Sequence, residues 1–107
     1  MSTIHSLVSE NGTRVTIGIE GRFDFSLHKD FRAAYQEHTG TNIRFDVDLS
    51  RTEYLDSSSL GMLLLLREHA GGDNARVRLC NPSPEVEKIL RIANFGELFD
   101  IHGVNID

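Results

Sequence analysis

The chain has 107 residues, 25% of them charged and 39% hydrophobic, with a formal net charge of -5. That length makes a single domain over 1–107, able to bury about two thirds of the surface its unfolded chain exposes, and the composition excludes wholesale disorder. An acidic balance argues against a nucleic-acid surface, which needs clustered Lys and Arg to neutralise phosphates, so partners are expected to be proteins.

In chain order, Ile4 to Val8 reads as a weak strand. Asn11-Gly12 follows as a type I′ hairpin signal before the alternating Val15, Ile17 and Ile19, so two antiparallel strands should open the fold. Gly21 to Ser26 leaves the second strand and predicts a helix capped by Ser26, with Leu27, Phe31, Ala34 and Tyr35 on its apolar face and Gly40 at its end. Residues 43 to 49 alternate strictly, Ile43, Phe45, Val47 and Leu49 against Arg44, Asp46 and Asp48. This pattern predicts a strand with one buried and one wetter face, and helices mainly on one side of the sheet.

The stretch from Val47 to Ala70 carries the chemistry. A strand ending near Leu49 feeds a polar turn, and the turn delivers Ser57, Ser58 and Ser59 to the start of an apolar helix over about 57–70. The first backbone N–H groups of a helix have no internal partner, and the aligned peptide dipoles leave roughly half a positive charge there. A hydroxyl at this position caps the helix, and a phosphate on that hydroxyl finds donors and a favourable field in place. At 100° per residue, Leu60, Leu63 and Leu64 form one stripe while Met62, Leu65 and Leu66 point away from it. The second stripe is either covered by neighbouring elements or left as a partner surface beside Ser57.

Gly71-Gly72 breaks the chain, and Val77 and Leu79 mark a strand with Arg76 and Arg78 on its other face; strand, helix, strand implies a parallel crossover. Asn81-Pro82-Ser83-Pro84 starts a third helix, with Ser83 as cap, Pro84 in the first turn and Val86, Ile89, Leu90 and Ala93 on one face. Asn94-Phe95-Gly96 ends it, and Leu98 to Ile101 is expected to supply a last short strand or a tail.

Asp48-Leu49-Ser50 and Leu55-Asp56-Ser57-Ser58-Ser59-Leu60-Gly61, followed by a Leu-rich helix, closely resemble the signature of STAS domains of the anti-sigma factor antagonist family. The family pattern reads hydrophobic-Asp-Ser-Ser/Thr-Gly/Ala-Leu-Gly. The resemblance implies that Ser57, immediately after Asp56, is the residue phosphorylated by a partner kinase. Ser59 stands where Gly or Ala is common and adds a hydroxyl, so Ser58 and Ser59 are secondary candidates. Gly21-Arg22-Phe23-Asp24 resembles the Gly-x-Leu-Asp step that ends the family's second strand, and by that likeness Asp24 lies beside the phosphoacceptor and takes part in kinase recognition; an ordinary turn aspartate is the competing reading. Arg22 changes the charge there. The likeness spans nearly the whole chain.

From the resemblance follow a STAS-like α/β domain, with a mixed, mostly parallel sheet of four to five strands and helices mainly on one face, and a phosphorylation-controlled partner switch. Unmodified, the protein would bind an anti-sigma factor or a serine kinase of histidine-kinase-like fold; phosphorylation at Ser57 would release that partner, and a metal-dependent serine phosphatase would reverse it. The partner-binding set is Asp24, Asp56, Ser57, Ser58, Ser59, Met62, Leu65 and Leu66. A constitutive scaffold or transporter-associated STAS subunit is the alternative, and a small nucleotide-binding or enzymatic protein a third.

No catalytic residues, metal or cofactor are expected. The five histidines, His5, His28, His38, His69 and His102, share no metal-ligand spacing. No Gly-x-Ser-x-Gly surrounds the serines, and Gly71-Gly72 lacks the Gly-Lys-Ser/Thr end of a phosphate-binding loop. Cys80 is the only cysteine, so no internal disulfide forms and a reducing cytoplasm fits. The N-terminus has no basic leader or continuous apolar stretch, and Met62 to Leu66 falls far short of the ~20 residues of a membrane span.

Overall fold

Residues 2–40 and 42–103 are described by a computed structural model. Strands β1 (Thr3–Val8) and β2 (Arg14–Phe23) form the antiparallel hairpin, with Ile4 opposite Ile19 and Val8 opposite Val15. The connection is a longer loop than a type I′ turn: Ser9 N–H donates to Arg14 O, Gly12 N–H donates to Ser9 O, and Gly12 but not Asn11 has positive φ. A type I′ turn requires positive φ at both central residues, so the Asn-Gly signal located the hairpin while naming the wrong turn.

A single-turn 3-10 helix, Phe25–Leu27, leads into α1 (His28–Ala33), which is shorter than expected and passes into turns well before Gly40. The predicted face is right: Leu27, Phe31, Ala34 and Tyr35 are all buried. The cap is Asp24 rather than Ser26, since the Asp24 carboxylate accepts from the Ser26 N–H and hydroxyl. Strand β3 (Arg44–Asp48) pairs in parallel with the first half of β2, Val15 opposite Phe45 and Ile17 opposite Val47.

The turn predicted after Leu49 hides a strand. Residues Ser50 and Arg51 do turn, but Thr52–Leu55 is β4, parallel to the last residues of β2. Thr52 is buried because its hydroxyl donates to the Ile19 carbonyl (2.8 Å), while Gly21 N–H donates to Arg51 O (3.0 Å). Residue β2 by residue, the partner thus changes from β3 to β4 along one ten-residue strand. With β5 (Val77–Cys80) and β6 (Asp100–His102), both parallel to their neighbours, the sheet has six strands among the described residues, in the order β1-β2-β3-β5-β6 with β4 beside β2. The sequence expectation of four to five strands is corrected by this one.

Helix α2 (Ser57–His69) and α3 (Pro84–Ile92) complete the fold, with Ser83 capping α3 through the Val86 N–H (3.2 Å). One core takes Val15, Ile17, Ile19, Phe45, Val47, Val77 and Leu79 from the strands and Phe31, Met62, Leu63, Leu66, Val86 and Leu90 from the three helices. Strands β2, β3 and β5 each contribute hydrophobic residues of one parity, so all three helices cover the same sheet face and the other carries the polar alternates.

The stripes of α2 are assigned differently from expectation. Met62 and Leu66 are 7% and 0% exposed, in the core with Leu63, whereas Leu64 and Leu65 are 38% and 62% exposed. Met62 and Leu66 are therefore not part of an outer partner surface. From Leu60 to Leu66 no residue is polar, so periodicity does not choose a face. The buried stripe runs Ser59, Met62, Leu63, Leu66 at i, i+3, i+4, i+7, and its first member is a serine.

Candidate functional site

The site lies where β2 and β4 end side by side. Arg22 is opposite Tyr54 and Phe23 opposite Leu55, so the next residue on each strand, Asp24 and Asp56, emerges at the same edge. These are the carboxyl ends of parallel strands, the side on which open α/β sheets place their ligands. Asp24 begins the 3-10 turn and Asp56 begins α2.

Asp56 makes a capping box with Ser59. Its Oδ1 accepts from the Ser59 N–H (2.9 Å), and its own N–H donates to the Ser59 hydroxyl oxygen (2.9 Å), which in turn donates to the Asp56 carbonyl (2.7 Å). Ser59 is fully buried. The Ser58 hydroxyl, half-buried, donates to Asp56 Oδ1 at 2.6 Å. Ser57 is exposed, and among the described residues its hydroxyl bonds to no other group. Three serines that look equivalent in sequence thus have three different states.

The two carboxylates are held ionised. The Ser58 hydroxyl, followed by the Ser59 and Ser58 N–H groups, holds the Asp56 carboxyl below the usual carboxylate range. For Asp24 the Ser26 hydroxyl does most, then the Ser26 N–H, with Arg22 adding to it and the negative charge of Asp56 opposing. Hydrogen bonds to the charged form lower a pKa in this way. Arg22 Nε stands 3.7 Å from Asp24, and its guanidinium lies 4.3 Å above the Tyr54 ring.

Sequence reasoning placed Asp24, Asp56, Ser57, Ser58 and Ser59 here, and the fold brings all five to one edge. Leu65 lies on the outer face of α2, and Leu64 shares that face with Ser57, seven residues and about 10 Å along the helix. Two aromatic residues at this edge were missed. Tyr54 sits in the strand read as a turn, and Phe25, 61% exposed, stacks on His28 with ring centroids 4.2 Å apart. Phe25 adjoins Asp24 in sequence, and its place in a capped turn rather than a helix face was the available signal.

Residues 6–100 match the family model described as MlaB, STAS domain, so the chain belongs to the STAS domain family. It is 58% identical over 98 residues to the STAS-domain containing protein PA14_20770 of Pseudomonas aeruginosa (strain UCBPP-PA14), a match covering 92% of this chain and 97% of that protein. Its fold is that of the anti-sigma factor antagonist SpoIIAA in its unphosphorylated form, with a TM-score of 0.77 at 21% identity over 92% of this chain and 87% of that one. The Bacillus cell fate determinant SpoIIAA in the phosphorylated form superposes with a TM-score of 0.64 at 20% identity, over 92% and 90% of the two chains. No helix among the described residues is long and apolar enough to cross a membrane.

Proposed function

We propose that this STAS domain is a phosphorylation-controlled anti-sigma factor antagonist, with Ser57 as the phosphoacceptor. The observation that carries the reading is the sorting of the three serines. Ser59 is buried in the capping box and Ser58 is bonded to Asp56, whereas Ser57 presents an exposed hydroxyl at the start of α2 with no bond to any described residue. Because Asp56 and Ser59 already cap the helix, Ser57 is dispensable as a cap. A phosphoryl group transferred to its oxygen gains the helix-end donors and field.

Unmodified, the edge formed by Asp24, Asp56, Ser57 and the exposed Leu65 binds an anti-sigma factor or a related serine kinase of histidine-kinase-like fold, and so frees that partner's client. Phosphorylation adds about -1.5 to -2 of charge beside two ionised aspartates. It repels an acidic partner surface and adds a desolvation penalty at any apolar contact, so the partner is released while the fold stays. Hydrolysis by a metal-dependent serine phosphatase restores binding. A fold shared with a protein solved in both unphosphorylated and phosphorylated forms supports the reading.

A second reading, a constitutive STAS scaffold or transporter-associated subunit with Ser57 never modified, draws on the MlaB description of the matching family model. Phosphosite mass spectrometry on protein from its own cells, with pull-downs by wild type, Ser57→Ala and Ser57→Asp, separates the two. Phosphate at Ser57, with one kinase-like partner retained by Ser57→Ala and lost by Ser57→Asp, is the expected result. An unmodified Ser57 across growth conditions, with identical partners for all three forms, leaves the constitutive subunit.

A further inference from the structure

We propose that the helix-free sheet face carries a second docking surface, for an acidic segment of a partner protein, at the end remote from Ser57. Arg14 on β2 lies directly opposite Arg44 on β3. Phe45 is opposite Val77 and donates its N–H to the Arg76 carbonyl, which brings Arg76 level with Arg44. Each of the three precedes a core residue, Val15, Phe45 or Val77, and so faces away from the helices. Adjacent strands are about 4.8 Å apart, so the row is about 10 Å wide.

Like charges directly opposite one another destabilise a sheet, and little here relieves them. The next row supplies Asp46, whose side chain is 7% exposed; it is 3.3 Å from Arg44 Nε and 3.9 Å from Arg14. Both Asp46 oxygens already accept from Arg78, through Nε at 3.1 Å and Nη2 at 3.3 Å. Asp100 lies by Arg78 at the margin of the cluster. Arg44 Nε is buried and, although 3.3 Å from Asp46, makes no contact of hydrogen-bond geometry among the described residues, and Arg76 is exposed with no ion-pair partner among them. Four of the eleven Lys and Arg of a chain of net charge -5 are gathered here.

The shape selects the occupant. The surface is open and polar, unlike the concave, largely apolar sites that take small molecules. A patch about 10 Å wide on an otherwise acidic molecule is too short for a nucleic-acid track, and the remaining charge is repelled by an anionic bilayer. A peptide carboxylate instead meets guanidinium forks that can hold it through paired hydrogen bonds. From Arg14 to the Asp24 edge is the length of β2, about 30 Å, so this surface stays free while the Ser57 edge is occupied.

The test is an amide-resolved NMR titration of the full chain with a short synthetic peptide of alternating Glu and Ser, at low and physiological salt. Wild type should show saturable shifts around residues 14, 44 and 76, with affinity falling as salt rises. Arg14→Glu/Arg76→Glu, which leaves the Arg44 and Arg78 contacts to Asp46 in place, should lose at least about tenfold in affinity. Ser57→Asp should bind as wild type does. Arg76→Ala, which removes no ion pair among the described residues, serves if thermal melting shows the double variant unfolded, and should weaken binding several-fold. Absent or non-saturable shifts, shifts confined to residues 24 and 56–59, or undiminished binding by the folded Arg variant would overturn the proposal. Saturable binding of phosphatidylglycerol vesicles or a single-stranded oligonucleotide in place of the peptide would overturn it too. None of these readouts depends on whether Ser57 is phosphorylated.

Discussion

At the residue scale, the difference between Ser57 and Ser59 is one of hydrogen bonding and burial. Ser59 accepts the Asp56 N–H and donates to the Asp56 carbonyl from a fully buried position, so Ser59→Ala leaves a polar group unsatisfied at the helix start. The expected loss is about 1–2 kcal/mol, against less than about 0.5 kcal/mol for Ser57→Ala, whose hydroxyl holds nothing together. Urea unfolding of the two variants checks this; an equal or reversed order would remove the distinction between structural and available serine. The sequence made this trio conspicuous as a group, because an aspartate followed by three hydroxyls before an apolar helix exceeds a simple cap. It could not rank the three, since which oxygen turns inward depends on the packing of α2 against the sheet.

At the element scale, α2 is where periodicity failed. Its apolar residues encircle the axis, and the buried face was decided by the capping box that turns Ser59 inward, followed by Met62, Leu63 and Leu66. What remains outside is a surface running from Ser57 past Gly61 to Leu64 and Leu65. A Cβ at Gly61 would meet nothing within 4 Å, so the fold itself has no need of glycine there. Mid-helix glycine costs about 0.5–1 kcal/mol relative to alanine, and Gly61→Ala should therefore raise stability by about that amount in denaturant unfolding. If this face docks a partner closely, the same variant should weaken that complex, measured by calorimetry with the partner recovered from the Ser57→Ala pull-down. A more stable protein with unchanged affinity would take Gly61 out of the interface.

At the scale of the whole molecule, the order of elements was legible because turns, caps and alternation punctuate the chain clearly, at Gly12, at Gly71-Gly72 and at Ser83-Pro84. Strand β4 was not, since Thr52–Leu55 has only four residues and becomes a strand by pairing with the far half of β2. The arginine row was equally hidden, because its members come from three segments that register alone aligns. That register also brings together Asp24 and Asp56, which gives the stability of the domain a defined acid limb. Both carboxylates are held below the usual range in the folded protein, chiefly by the Ser26 and Ser58 hydroxyls respectively. The unfolded chain therefore binds protons more readily than the folded one, so stability is full above the ordinary carboxylate pKa of about 4 and is lost as pH falls through the lower folded values. Asn caps a helix about as well as Asp and cannot titrate, so Asp56→Asn should match wild type near neutrality yet show a shallower decline below about pH 5. Denaturant midpoints measured across that range decide it. A decline as steep as that of wild type would mean that other carboxylates set the acid limb and that the Ser58 and Ser59 bonds do not distinguish the charged form of Asp56.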